Sequence, residues 1–334
     1  MKVITFGEIM LRLTPQNHNR IGRTPVYEAT YGGAESNVAC SLAQLGIETE
    51  FVTKLPENAV AEGAIATLKS FGVGTDFIAR GGNRMGVYYL ERGSSVRASK
   101  VVYDRADSAM AQAQTADFDW DEIFRGATWF HFTGITAGIS KNALALCKIA
   151  AKKAKEKGLT VSFDPNYRAK LWTKEEARAA MKELTPYVDV LISNAPQTLD
   201  VYELDCGSEE KTMRALAEKF DLQSVVFTDR ISRSADDNGY SASCFAGCKG
   251  GKGGKYYVSK RYELHPIVDR VGGGDAFAAG YIFAANKYEN EQQRLDFAVA
   301  AAAFKHTIDG DINLAGESEI AALAGGDSSG RVQR

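Results

Sequence analysis

Cysteine is sparse and without pattern. Cys40, Cys147, Cys206, Cys244 and Cys248 are odd in number and widely scattered, which argues against a disulfide framework and for a reducing compartment. Cys244 and Cys248 stand four apart, yet no second pair and no neighbouring histidine completes a zinc set. Charge of one sign is also lacking. The 40 Lys and Arg residues nearly balance 42 Asp and Glu, for a net charge of −2. A nucleic-acid or membrane-surface partner usually leaves a basic excess, and none is visible. Lys249, Lys252 and Lys255 lie among five glycines and read as a solvated loop. Apolar runs meet charges before reaching membrane-spanning length. The opening MKVITFGEIM is too short, and too acidic at Glu8, for a signal peptide. No long repeat or extended low-complexity tract is present. A soluble, cytoplasmic protein is expected.

What is present is an ordinary globular composition, 45% hydrophobic and 25% charged over 334 residues. Short apolar runs alternate with longer helical patterns. Strands are expected at Val3–Phe6, Glu50–Thr53, Leu159–Phe163, Val188–Ser193 and Ser224–Thr228. Helices are expected at Glu35–Leu45, Asn58–Phe71, Ser140–Lys157, Lys174–Leu184 and Glu209–Phe220, three of them stopped by Gly46, Gly72 and Gly158. Strands joined by helices of that length pack as right-handed crossovers in a parallel sheet. The fold class is α/β. Two stretches, Arg23–Tyr31 and Arg84–Arg105, instead alternate side-chain character as a half-exposed antiparallel ribbon does. They predict a small β-flap, drawn from about residues 10–34 and 84–112, that covers a site or pairs with a second subunit. Residues 1–324 read as one domain, and 325–334 as a disordered polar tail.

The sharpest chemical signal is Gly272-Gly273-Gly274-Asp275 followed by Ala276-Phe277-Ala278-Ala279-Gly280. Glycine lets backbone approach a phosphate closely, and the start of the following helix offers free N–H groups to an anion. A plain glycine turn with Asp275 as helix cap is the alternative. An acid beside an anion hole repels phosphate, however, and a catalytic base touching an attacking hydroxyl gives it a reason to be there. Gly247–Lys255 fits no register of G-x-x-x-x-G-K-[ST]. Gly7 and Gly32-Gly33 complete no dinucleotide fingerprint, which disfavours a nicotinamide enzyme.

Asp269 to Gly280 resembles the C-terminal signature of the ribokinase-like (phosphofructokinase-B type) carbohydrate kinases. Tyr31-Gly32-Gly33-Ala34-Glu35-Ser36-Asn37-Val38-Ala39 resembles their N-terminal signature. The resemblance spans Val3 to about Leu323. It implies a doubly wound, mostly parallel sheet flanked by helices, a small β-sheet lid, and ATP with Mg²⁺ as phosphate source. The likeness is greatest to 2-keto-3-deoxygluconate kinases: Gly32 to Glu35, Tyr88 after Gly86, Tyr103 with Arg105, and Asp164, Asn166, Tyr167 and Arg168 all match. It implies substrate contacts from Gly33, Asn37, Tyr88, Tyr103, Arg105, Asn166, Arg168 and Asp275. It assigns Asp275 as base and Gly272, Gly273 and Gly274 as the anion hole.

The chemistry of that substrate class agrees with the residues. A sugar acid presents a carboxylate, and arginine grips carboxylates with a planar fork. Arg105 and Arg168 are the candidates, although a flap tyrosine is often core and an arginine often a surface ion pair. Nucleotide contacts are implied for Asn194, Thr228, Arg230, Gly272, Gly274 and Asn313. The family's Asn-x-x-Glu magnesium motif is broken, because Gln197 stands in its fourth position. The metal ligands stay open between the nucleotide phosphates and an unidentified acid. A neutral-sugar kinase such as a fructokinase, and a non-catalytic nucleotide or sugar sensor, are the competing readings.

Overall fold

A computed structural model of the chain describes residues 1–249 and 252–327. Fourteen strands occur among the described residues. The first seven are β1 (Lys2–Phe6), β2 (Met10–Pro15), β3 (Tyr27–Gly32), β4 (Glu48–Leu55), β5 (Ile78–Arg80), β6 (Val87–Glu91) and β7 (Lys100–Asp104). The rest are β8 (Trp129–Thr133), β9 (Thr160–Asp164), β10 (Val190–Ser193), β11 (Ser224–Ser232), β12 (Asn238–Lys249), β13 (Lys252–Val258) and β14 (Tyr262–Leu264). Ten strands form one sheet in the order β13-β12-β11-β10-β9-β8-β1-β4-β5, with β14 also on β12. Pairing is parallel from β11 across to β5 and antiparallel among β11, β12, β13 and β14.

Local chemistry explains the element ends. Asn58, Ser140, Thr173 and Ser208 each cap a helix by accepting a first-turn N–H on a side-chain oxygen. Gly46, Gly72 and Gly158 take positive φ just beyond helix ends. One face of the sheet buries an aromatic and aliphatic core containing Phe130, Phe132 and Phe163 beneath the Lys141–Glu156, Lys174–Leu184 and Glu209–Phe220 helices. Rings of Phe132 and Phe163 lie 4.6 Å apart. Truncating either to Ala would cost about 3–5 kcal/mol. The other face buries Val38, Phe277 and Phe297 under the Ala34–Gln44, Gly273–Lys287 and Glu291–Lys305 helices. Small residues let the last two approach: a Cβ on Gly280 would meet the Ala301 methyl at 2.9 Å.

Four strands form a separate sheet in the order β3-β2-β6-β7. Its outer pairs are antiparallel as the alternation suggests, but β2 and β6 run parallel, Leu11 beside Val87. The cause is connectivity, since β4, the Ala59–Ser70 helix and β5 intervene between them. The Gly247–Lys255 run, read as a loop, is strand up to Lys249 and again from Lys252. Glycines at positive φ, Gly247, Gly253 and Gly254, let these strands bend there. Residues 250–251 lie outside the described residues, as do 328–334 of the expected tail. No described helix is long and apolar enough to cross a membrane.

Candidate active site

The carboxyl ends of β1, β8, β9, β10 and β11 point toward one cavity of about 580 Å³, roofed by the four-stranded sheet. This is where parallel sheets expose free chain ends and helix starts to ligands. Gly33, Asn37, Tyr88, Tyr103, Arg105, Asn166, Arg168, Asn194, Thr228, Arg230 and Gly272 to Asp275 all line it. Asn313 does not. It is buried beneath, its side chain donating to the Ala301 carbonyl and accepting the Ala315 N–H, so both polar ends serve the backbone.

The turn before Asp275 is built for close approach. Gly272 has φ +82°, and a Cβ there would lie 1.8 Å from the Asp311 carbonyl oxygen, so no other residue fits. A Cβ on Gly274 would meet nothing within 4 Å, leaving room for a ligand against the first turn of the Gly273–Lys287 helix. The first internal bond of that helix runs from Ala276 N–H to the Gly272 carbonyl at 2.8 Å. Helix geometry leaves the N–H groups of Gly274 and Asp275 without an acceptor in the helix, an arrangement that suits an anion.

Asp275 sits in that first turn, and Asn37 Nδ2 donates to its Oδ2 at 2.7 Å. Burial pushes its carboxyl up to about 7. The Asn37 hydrogen bond opposes this, while Asp311, Asp164 and Glu35 add to it. A carboxyl near 7 is matched to taking and returning a proton at neutral pH. Glu35, two residues before Asn37 in the same helix, is held at about 7 by burial, although Thr133 and Thr136 hydroxyls and the Thr133 N–H all donate to it.

The opposite wall is arginine and tyrosine. Val101, Tyr103 and Arg105 share the cavity-facing side of β7 and its end, as the alternation implies, while Val102 and Asp104 turn to solvent. Arg105 is buried and already partnered: Nε donates to Glu8 Oε2 at 2.8 Å, Nη2 donates to the same oxygen, and Ser108 donates to Oε1. Arg168 is exposed at the cavity edge, with the Tyr167 carbonyl, at 3.2 Å, its one hydrogen-bond acceptor among the described residues. Asn166 takes φ +39° where the chain turns in from β9, its N–H held 2.8 Å from Asp164 Oδ1. Backbone held in this sparse region is characteristic of functional turns.

Toward β10 and β11 the cavity is lined by Ser193, Asn194, Gln197, Thr228, Asp229 and Arg230. Asn194 caps the Ala195–Tyr202 helix by accepting the Gln197 N–H at 2.9 Å. The Gln197 amide is consumed locally, accepting the Tyr167 N–H at 2.8 Å and donating to Ser193 Oγ at 3.1 Å and Asp164 Oδ1 at 3.5 Å. Burial lifts the Asp164 carboxyl to about 6, against the Asn166 N–H, Arg168 and Gln197. Arg230 is exposed, without an ion-pair partner among the described residues. No group of three metal-binding side chains occurs among the described residues. Asp164 is the acid in contact with Gln197, which stands in the fourth position of the broken motif.

Several lining residues escaped the sequence reading. Glu8 stands two residues past the end of β1, in the strand-end loop where open sheets place ligand-binding groups. Arg270 lines the cavity while donating to the Ala235 carbonyl at 2.7 Å and Asn238 Oδ1 at 3.0 Å. Asp311 joins a buried cluster with Arg12, Asp269 and Tyr88. Arg12 stands among Met10, Leu11 and Leu13, at an inward position of an apolar strand, and that misplaced charge was the available signal.

The sequence profile of the pfkB family carbohydrate kinases matches residues 1–315, and the chain belongs to this family. It is 34% identical over 328 residues to a 2-dehydro-3-deoxygalactonokinase of Haloferax volcanii, covering 98% of each chain. A 2-dehydro-3-deoxygluconokinase of Bacillus subtilis is 26% identical over 292 residues, 84% of this chain and 82% of that one. The crystal structure of a 2-dehydro-3-deoxygluconokinase from Thermotoga maritima superposes with a TM-score of 0.92 at 48% identity, covering 98% of both chains. The ribokinase-like fold and the sugar-kinase class expected from the two signatures therefore stand.

Proposed function

We propose that this kinase moves the γ-phosphoryl group of ATP to the terminal hydroxyl of 2-keto-3-deoxygluconate, with residues 1–324 acting as one catalytic domain. The observation that carries the reading is Asp275, with its carboxyl near 7, set between the glycine turn and an arginine-bearing wall in one cavity. The sugar lies under Tyr88 and Tyr103, and Arg168 receives its carboxylate. Asp275 accepts the hydroxyl proton as the sugar oxygen bonds to phosphorus and the bond to ADP breaks. N–H groups of the Gly272–Asp275 turn hold the charge spread over the transferred group, and Arg230 lies against the remaining phosphates. Magnesium, when bound with the nucleotide, supplies further charge neutralisation.

A coupled ADP-release assay over sugars and sugar acids tests the substrate class. The panel includes both the gluconate and galactonate epimers, since relatives of both names occur. Phosphorus NMR of the product then locates the ester. Preference for a neutral sugar such as fructose would replace the reading with a neutral-sugar kinase.

The outer surface of the small sheet supports a second inference, that two copies associate through it. Val102 is 39% exposed there, on the side of β7 turned away from the cavity, and β3 and β7 are unpaired edges among the described residues. Light scattering at micromolar concentration should show at least a dimer. A monomer would remove this part.

A further inference from the structure

Arg12 is 1% exposed, yet it belongs to β2 of the small sheet rather than to the body that holds the glycine turn. Its guanidinium spans a gap between two chain segments remote in sequence. Nη2 donates to Asp269 Oδ2 at 2.5 Å, Nη1 donates to Asp311 Oδ1, and Nε donates to Thr14 Oγ1 at 2.9 Å. Both aspartates frame the phosphate turn. Asp269 Oδ1 accepts the Val271 N–H at 3.0 Å, one residue before Gly272. The Asp311 carbonyl packs where a Gly272 side chain would stand. The remaining Asp311 oxygen accepts the hydroxyl of Tyr88, which sits on β6 and lines the sugar side of the cavity.

We propose that Arg12 is a positioning residue that couples the sugar-binding sheet to the phosphate-binding turn, so that a sugar seated under Tyr88 tightens the turn for nucleotide. A buried arginine carries no freedom to adjust: its planar fork fixes the two carboxylates relative to each other and to the strand that bears it. Any shift of β2 and β6 on closing over a sugar is transmitted to Asp269 and Asp311, and through them to both sides of Gly272. A cluster that merely anchored the sheet would weaken each ligand alone and leave their interdependence unchanged.

The inference rests on the proposed kinase reading, and the test separates the two. A non-hydrolysable ATP analogue with Mg²⁺ is titrated calorimetrically into wild type, Arg12→Lys and Asp311→Asn. Each titration is run alone and with saturating 2-keto-3-deoxygluconate or fructose, and thermal melts check folding. Wild type should bind the analogue about tenfold more tightly with sugar present, within the usual range of such couplings. Arg12→Lys keeps the charge but loses the fork, and should bring that ratio to about one to threefold while the analogue alone binds within about threefold of wild type. Asp311→Asn serves as the second variant should Arg12→Lys melt early, and should reduce the ratio likewise. Coupling seen with fructose alone would sink the sugar-acid assignment and leave the Arg12 role standing. A wild-type ratio of one with both sugars, or an undiminished ratio in both variants, would overturn it.

Discussion

One carboxylate oxygen of Glu8 accepts two hydrogen bonds from Arg105, so the guanidinium that the motif offers to substrate is already neutralised within the protein. Of the two motif arginines, Arg168, with a backbone carbonyl as its one hydrogen-bond acceptor among the described residues, is the one the proposed reading leaves to meet a sugar acid. The two arginines should therefore respond differently. Arg168→Ala should raise the Michaelis constant for the sugar acid by about tenfold to a thousandfold, with little change in melting temperature, and Arg168→Lys should recover only part of it. Arg105→Ala strands a buried Glu8 and should cost about 3–5 kcal/mol of stability. Equal melting temperatures for the two alanine variants would show that the Glu8 pair is not as described.

In the proposed mechanism Asn37 and Asp275 set the pH dependence. Asp275 must be ionised to accept a proton, and its carboxyl lies near 7. Turnover should rise with pH through about 7 and level above it. The Asn37 hydrogen bond holds the carboxyl lower than burial alone would. Asn37→Ala should therefore move the acid limb to higher pH. A limb that stays in place would remove Asn37 from the mechanism.

Asp275→Asn should lower turnover by on the order of a hundredfold or more while nucleotide still binds. Its stability has a definite sign. A carboxyl raised in the folded state contributes stability that is present below its unfolded value and lost as pH rises through the folded one. The window runs from about 4 to about 7. Above that window the Asn variant should melt higher than wild type, and the gap should close as pH falls toward 4. Comparable turnover in the two proteins would mean that the base is elsewhere.

Much of the scaffold was legible because it is local. The Lys174–Leu184 and Glu209–Phe220 helices carry their caps and periodicity within a dozen residues, and their bounds coincide with expectation. The glycine turn and Asp275 were legible because their chemistry is continuous in sequence. What stayed hidden depends on distance: Glu8 meets Arg105 across 97 residues, and Arg12 meets Asp311 across 299. No local pattern pairs such residues. Asn313 was misplaced for the same reason, since only the packed helix end shows that its amide is consumed by the backbone.

Gln197 offers a test of how magnesium is held. Its amide donates toward Asp164 at 3.5 Å, so Gln197→Glu would set two carboxylates side by side. With a divalent ion to share, that pair should lower the magnesium concentration needed for half-maximal activity. Without it, the repulsion should lower the melting temperature above about pH 6, where the Asp164 carboxyl ionises. Magnesium should restore the melt in the variant more than in wild type. No difference in either profile would place the metal away from Asp164.

The most direct measurement compares specificity constants of the wild-type enzyme for 2-keto-3-deoxygluconate and fructose under saturating MgATP, with Asp275→Asn as the control. The expected result is a preference for the sugar acid of at least about a hundredfold, of the size that a charge-recognising arginine supplies, and its loss of turnover in the control. Equal constants, or a preference for fructose, would contradict the sugar-acid kinase outright.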